Sequence, residues 1–240
     1  MAKNNKVLGK LKMNVGIKLS IIIPCYNEEE VLPLTLERLK SLSAEWCSRD
    51  DFESIEFLFV DDGSQDRTAE LLAEATHEYR QFKVIHLSRN FGHQAALLAG
   101  YEFAKGDIIV SLDADLQHPP EFIKTMLDKI MEGHDVVYAA RKTQKNDSWF
   151  KRRTADLFYW FMKKLGVSII PHHADFRMIT RRVLNAFLKF QENNLFIRAT
   201  FPMVGFPSCI VYYDQPERLA GKTKYSFRKM FEFAIDGLTS

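Results

Sequence analysis

The sequence predicts an α/β fold, a mostly parallel sheet flanked by helices. Three observations predict it. Short apolar runs alternate with helical patterns through the first 140 residues. The runs are apolar throughout rather than every second residue, as strands buried on both faces require. Polar residues, several of them acidic, gather where the runs end, and in such sheets ligands bind at the carboxyl ends of the strands.

LSIIIP (Leu19 to Pro24) is the first predicted strand. A helix follows near Glu29 to Leu42, with Val31, Leu32, Leu36 and Leu39 on one stripe, so Pro33 has to lie in its first turns. EFLFVD (Glu56 to Asp61) is the second strand and Arg67 to Tyr79 the next helix. KVIHL (Lys83 to Leu87) leads into a helix from about Gly92 to Ala104. DIIVSLD is the fourth strand, Pro120 to Met131 a helix, and DVVYAA (Asp135 to Ala140) a fifth strand. Beyond Arg141 the pattern changes to an aromatic-rich helix over Trp149 to Leu165. A short strand at Asp175, a helix over Arg181 to Phe190 and a last strand at Val211 to Asp214 complete the chain's core. SFRKMFEFAIDGLTS ends it on an amphipathic helix, its stripe formed by Phe227, Met230, Phe231, Ala234 and Leu238.

The 240 residues are enough for one large domain, and 46% apolar with 27% charged residues is ordinary for a globular chain. A net charge of +2 argues against a general nucleic-acid binder. The charge is uneven, because the first 20 residues carry five lysines and no acid. Cys25, Cys47 and Cys209 show no metal or redox spacing, which fits a reducing compartment. No run reaches the roughly 18 apolar residues that span a bilayer, so the chain as given is expected to be soluble or peripheral.

The strand ends read PCYNEEE, VDDGSQDRT, SRNFGHQ, DADLQHPPE and AARK. The first turn holds no glycine, so neither a dinucleotide fingerprint nor a Walker loop cradles phosphate here. Asp113 and Asp115 offer another means. Side chains at i and i+2 of an extended segment point to the same side, and two carboxylates there repel unless a cation accepts them. Hard carboxylate oxygens suit Mg2+ or Mn2+, and Mg2+ sites commonly use one or two carboxylates plus substrate phosphates. Gln117 can add a neutral oxygen. A solvated D-x-D loop is the plain alternative.

The ordered set PCYNEEE, VDDGSQDRT, SRNFGHQAALLAG, DADLQHPPE, ADFR and ERLAGKTKY resembles the inverting family-2 glycosyltransferases of the GT-A fold. More narrowly it is similar to those that load sugar onto polyprenyl phosphate, the dolichyl-phosphate mannosyltransferases and bactoprenol glucosyltransferases. The similarity runs from about Ile17 to Ser240. It implies that Pro24, Tyr26, Glu28 and Asp62 hold the nucleotide, with Asp61 a turn former. Asp113, Asp115 and Gln117 match the metal motif, so Asp113 also faces the donor. Arg141, Arg218 and Lys224 would approach the donor diphosphate, with Lys222 as a further cation. Arg153 would meet the acceptor phosphate, a solvated basic face being the alternative for KRR. Asp175 is the candidate catalytic carboxylate, with Arg177 beside it, although Ala174 stands where relatives often have glycine. His93 is read as a cap of the helix it opens.

The resemblance also implies three parts: a basic extension over 1–16, a catalytic domain over 17–225 and a juxtamembrane helix over 226–240. Transmembrane helices follow this point in the lipid-directed relatives, so the cytoplasmic face of a membrane is the expected location. The expected partners are a nucleotide-sugar, UDP-linked by preference, a polyprenyl phosphate and the membrane surface. Nucleic acid is not among them, and a homo-oligomer is left open. The competing readings keep the fold but use a glycan or wall-polymer acceptor, or bind sugar-nucleotide without turnover.

Overall fold

The protein is represented by a computed structural model that describes residues 16–48, 52–142, 173–190 and 197–214. In chain order the elements are β1 (Lys18–Cys25), α1 (Leu32–Ser48), β2 (Ser54–Asp61), α2 (Thr68–Glu78), β3 (Phe82–His86), α3 (His93–Phe103) and β4 (Ile108–Ser111). There follow a 3-10 turn (Pro120–Phe122), α4 (Ile123–Met131), β5 (Val136–Arg141), β6 (His173–Thr180), α5 (Arg181–Phe187), α6 (Ile197–Met203) and β7 (Ser208–Tyr213). Pro33 is the second residue of α1, where its missing N–H costs no helical hydrogen bond. The helix expected from Pro120 begins instead with the 3-10 turn.

All seven strands share one sheet in the order β3-β2-β1-β4-β6-β5-β7. The pairs β1–β2, β1–β4, β2–β3 and β5–β7 are parallel, and β6 runs antiparallel to both β4 and β5. The short strand expected at Asp175 is therefore eight residues long, central and reversed. That reversal matters. The start of β6, rather than its end, lies with the carboxyl ends of its neighbours. Its register pairs Ser111 with Arg177, the last pair of that ladder, so Asp113 just past β4 and Asp175 near the start of β6 lie at the same end of the sheet.

Alternate strand residues feed two cores. Ile21, Ile23, Phe57, Phe59 and Val110 pack under Leu32, Leu36, Leu39 and Trp46 of α1 and Met126 of α4. Ile22, Leu58, Val60, Ile109 and Tyr138 pack under Leu97 and Tyr101 of α3, Val183 and Phe187 of α5 and Phe201 of α6. Helix α6, which contains Pro202, was not expected from the sequence. It closes the second face through Phe201, stacked on Phe187 with ring centroids 4.4 Å apart. Burying each such ring contributes about 1.5–3 kcal/mol. Helix α3 lies close on this face. A Cβ on Gly100 would stand 2.3 Å from Ile22 Cγ2.

Candidate active site

Two loops meet at the ends of β1 and β2. Asn27, in the left-handed region at φ 51°, donates its N–H to Ser64 Oγ at 3.0 Å and accepts Gln65 N–H on Oδ1 at 2.8 Å. Glu28 N–H donates to Thr68 Oγ1 at 2.8 Å, and Asp62 N–H to the Cys25 carbonyl at 2.9 Å. Pro24 is buried, while Tyr26 and Glu28 are partly exposed beside it. Gly63 takes φ 67° where a Cβ would strike the Arg89 carbonyl carbon at 2.5 Å, so glycine alone lets this turn approach the β3–α3 loop.

The two aspartates of the β2 exit are both buried. Asp61 behaves as a turn former, accepting Ser64 N–H at 3.0 Å, and also faces His86 Nδ1 at 3.1 Å. Asp62, expected against the nucleotide, is engaged within the protein itself. Its oxygens accept Phe91 N–H at 2.7 Å and Gly92 N–H at 2.9 Å, which braces the loop that enters α3.

The β4 exit is fixed from above by α1, where the Thr35 hydroxyl donates to the Ala114 carbonyl at 2.6 Å. Asp115 Oδ1 accepts Gln117 N–H at 3.1 Å, and Leu116 between them sits at φ 58°. A bulky residue in that region stores roughly 1–3 kcal/mol of strain, which the surrounding contacts hold in place. Asp113 N–H donates to His118 Nδ1 at 3.0 Å. In neutral His118 the proton is then on Nε2, which lies 3.6 Å from Asp113 Oδ2. Buried His118 is stacked on Phe176 at 5.0 Å and meets the edge of Tyr213.

Asp175 and Arg177 project from one side of β6 and pair with each other, Arg177 Nη2 against Asp175 Oδ1. Both are buried, and Arg177 is held further by the Ile197 carbonyl at 3.3 Å and the Phe201 ring at 4.9 Å. Ser111, itself bonded to the Tyr101 hydroxyl, donates to the Asp175 carbonyl oxygen. His93 does not act as a helix cap. Its Nε2 stands 3.2 Å from Asp175 Oδ2 and 3.8 Å from Asp113 Oδ1, because the close approach of α3 to β1 carries its first residue over β4 and β6.

Tyr213 reports the charge at this end of the sheet. Burial and then the Asp113 carboxylate push its phenol up to about 12, Arg141 pulls the other way and Asp115 adds to the rise. Asp113, Asp115 and Arg141 therefore act on one buried hydroxyl. Among the described residues no group of three or more His, Cys, Asp or Glu side chains forms a closed metal cage. Two neighbouring hard carboxylates, one of them 38% exposed, fit a Mg2+ or Mn2+ site that substrate phosphates complete.

The sequence-derived residues Asp113, Asp115, Gln117, Arg141, Asp175 and Arg177 thus lie at one end of the sheet, with Pro24, Tyr26, Glu28 and Asp62 at the same end on β1 and β2. Arg153, Arg218, Lys222 and Lys224 lie outside the described residues, as do the aromatic helix from Trp149, the basic start of the chain and the segment 226–240. Sequence reasoning missed His118 and Tyr213, and it gave His93 the wrong role. His118 stands inside DADLQHPPE, yet its stacking depends on Phe176, more than fifty positions away.

A family model described as glycosyl transferase family 2 matches residues 20–190. The chain belongs to that family. This family-2 glycosyltransferase is 44% identical over 225 residues to the uncharacterized glycosyltransferase YkoT of Bacillus subtilis, covering 92% of this chain and 67% of that one. It is 34% identical over 225 residues to a prophage bactoprenol glucosyl transferase homolog of Escherichia coli, covering 93% and 72%. Among solved structures it is similar to glucosyl-3-phosphoglycerate synthase from Mycobacterium tuberculosis in complex with Mn2+, UDP and glucosyl-3-phosphoglycerate. There the TM-score is 0.55 at 16% identity, with 99% of this chain and 82% of that one covered. At that identity the likeness establishes the GT-A fold.

Proposed function

We propose that this family-2 enzyme transfers a sugar from a nucleotide-sugar, UDP-linked by preference, to a polyprenyl phosphate. The observation that carries this reading is that Asp113, Asp115, Arg141 and the Asp175–Arg177 pair gather at one end of the sheet, with Asp113, Asp115 and Arg141 all acting on Tyr213 and His93 joining Asp113 to Asp175. That arrangement supports a diphosphate bound there with a second substrate beside it. The bactoprenol name of the Escherichia coli relative supports the lipid acceptor.

A phosphate acceptor has a second pKa of about 6, so it arrives as a nucleophile at neutral pH. Its oxygen forms the new bond to the anomeric carbon while the bond to the diphosphate breaks on the opposite side, which inverts the configuration and frees a nucleoside diphosphate. The protein's task is then to position both substrates and stabilise the departing charge. Pro24, Tyr26, Glu28 and Asp62 hold the nucleotide end. Arg141 faces the diphosphate, as do Arg218 and Lys224, and Arg153 meets the acceptor phosphate. Asp113 and Asp115, with Gln117, hold Mg2+ or Mn2+, whose Lewis acidity supplies further stabilisation of the leaving group. Asp175 orients rather than abstracts a proton, since its two oxygens already face Arg177 and His93.

Residues 17–225 form the catalytic domain in this reading, which works at the cytoplasmic face of a membrane. Among the described residues no helix is long and apolar enough to cross a bilayer. Membranes containing the protein are incubated with Mn2+ or Mg2+, undecaprenyl phosphate and labelled UDP-sugars or GDP-mannose. The expected result is label in the organic phase, lost at least 100-fold in Asp115→Ala. Nucleoside diphosphate release with no labelled lipid would move the acceptor to a glycan or wall polymer.

A further inference from the structure

His93 touches both carboxylates that β4 and β6 bring to this end of the sheet, yet belongs to neither strand. Asp113, just past β4, and Asp175, on the neighbouring β6, are two anions close enough to share one imidazole, an arrangement that disfavours itself without a counter-group. Arg177 serves one oxygen of Asp175, and His118 Nε2 lies 3.6 Å from one oxygen of Asp113. The remaining oxygens, Asp175 Oδ2 and Asp113 Oδ1, both face His93 Nε2 at 3.2 and 3.8 Å. His93 is 29% exposed whereas Asp175 is 2% exposed, so the imidazole reaches solvent while the carboxylate it touches does not.

We propose that His93 is a positioning residue of the transfer step: it orients Asp175 and screens the Asp175 carboxylate from an anionic acceptor. The proposal rests on the polyprenyl-phosphate reading and deepens it. An acceptor phosphate entering beside Asp113, Asp115 and Asp175 meets three carboxylates. The donor-side pair is offset by the cation that the donor brings. Among the described residues Asp175 is met by Arg177 on one oxygen and by His93 on the other.

The test separates acceptor from donor. With His93→Ala, KM for undecaprenyl phosphate should rise about tenfold and kcat fall, while KM for the nucleotide-sugar stays within about twofold. His93→Gln, which keeps an N–H near the Nε2 position, should restore acceptor KM to within about threefold of the parent. A purely structural role would move both KM values together and would not be rescued by glutamine. Either of those patterns, or an unchanged acceptor KM in His93→Ala, overturns the proposal. Failure of the parent to label undecaprenyl phosphate at all would instead refute the acceptor reading. The contact itself is then judged by histidine side-chain NMR of the parent and Asp175→Asn. The His93 Nε2 resonance should move on that substitution, and an unmoved resonance overturns the proposal independently of any acceptor.

Discussion

Asp175 and Arg177 stand two apart on β6, so both side chains point toward α3 and α6. Their pairing is buried, and a buried charge that loses its partner typically costs about 3–5 kcal/mol. Arg177→Met should therefore lower stability by roughly that amount in urea unfolding, whereas the double variant with Asp175→Asn should recover much of the loss. Additive losses in the double variant would show that the two charges do not depend on each other. Asp113 is more open. Asp113→Asn, at a partly exposed position and close in shape to the parent, should leave stability within about 1 kcal/mol and abolish Mn2+-dependent UDP binding measured by calorimetry. The sequence disclosed these residues because i, i+2 carboxylates at the end of a strand have few structural uses. It could not disclose His93 as their partner, since no local pattern tells which residue of a helix's first turn crosses to another strand.

At the scale of elements, helix α3 decides whether His93 reaches the site. Gly100 lets it lie against Ile22, whose branched side chain is stiff, and Val60 leaves no slack, its Cγ2 3.3 Å from the added Cβ. Gly100→Ala should cost about 1–3 kcal/mol through overpacking, seen as a lowered Tm, with acceptor KM rising as His93 is carried outward. Gly63→Ala should be harmful for a different reason, because it adds left-handed strain to a backbone clash with Arg89. Most elements were legible from local pattern alone, the first five strands as short continuous apolar runs and the helices between them by their apolar stripes. The direction of β6 was not. ADFRMIT carries an apolar core like any buried strand, and antiparallel placement follows from the sheet's global connections rather than from the strand's own residues. Helix α6 escaped because Pro202 argues against a helix locally, while packing of Phe201 on Phe187 and Tyr101 overrides that preference.

At the scale of the whole molecule, ionisable groups at the two ends of the sheet set the limits of stability. At the end remote from the site, burial would raise the Glu56 carboxyl, but hydrogen bonds from Lys83, Ser20 and Lys105 N–H outweigh it and hold it low. A depressed carboxyl stabilises the fold above its unfolded value of about 4.3 and loses that contribution as pH falls through its folded value. Tyr213 and Tyr138 work in the opposite direction. Burial, with Asp113 adding at Tyr213 and Arg177 opposing at Tyr138, pushes each phenol up to about 12. The unfolded phenols ionise near 10, so the native state holds more protons between about pH 10 and 12, and stability falls as pH rises through that window. Absorbance titration at 295 nm should show Tyr138 and Tyr213, together with the fully buried Tyr101, ionising later than the exposed tyrosines. The proposed reaction turns on the acceptor's phosphate being the nucleophile, held beside the screened Asp175 while Arg141 is left to the donor diphosphate. It is tested most directly by giving the enzyme Mn2+ and labelled UDP-glucose with undecaprenyl phosphate in one reaction and undecaprenol in the other. The account predicts labelled lipid from the phosphate alone, with inverted anomeric configuration by NMR. Equal labelling of undecaprenol, or a retained configuration, would contradict it.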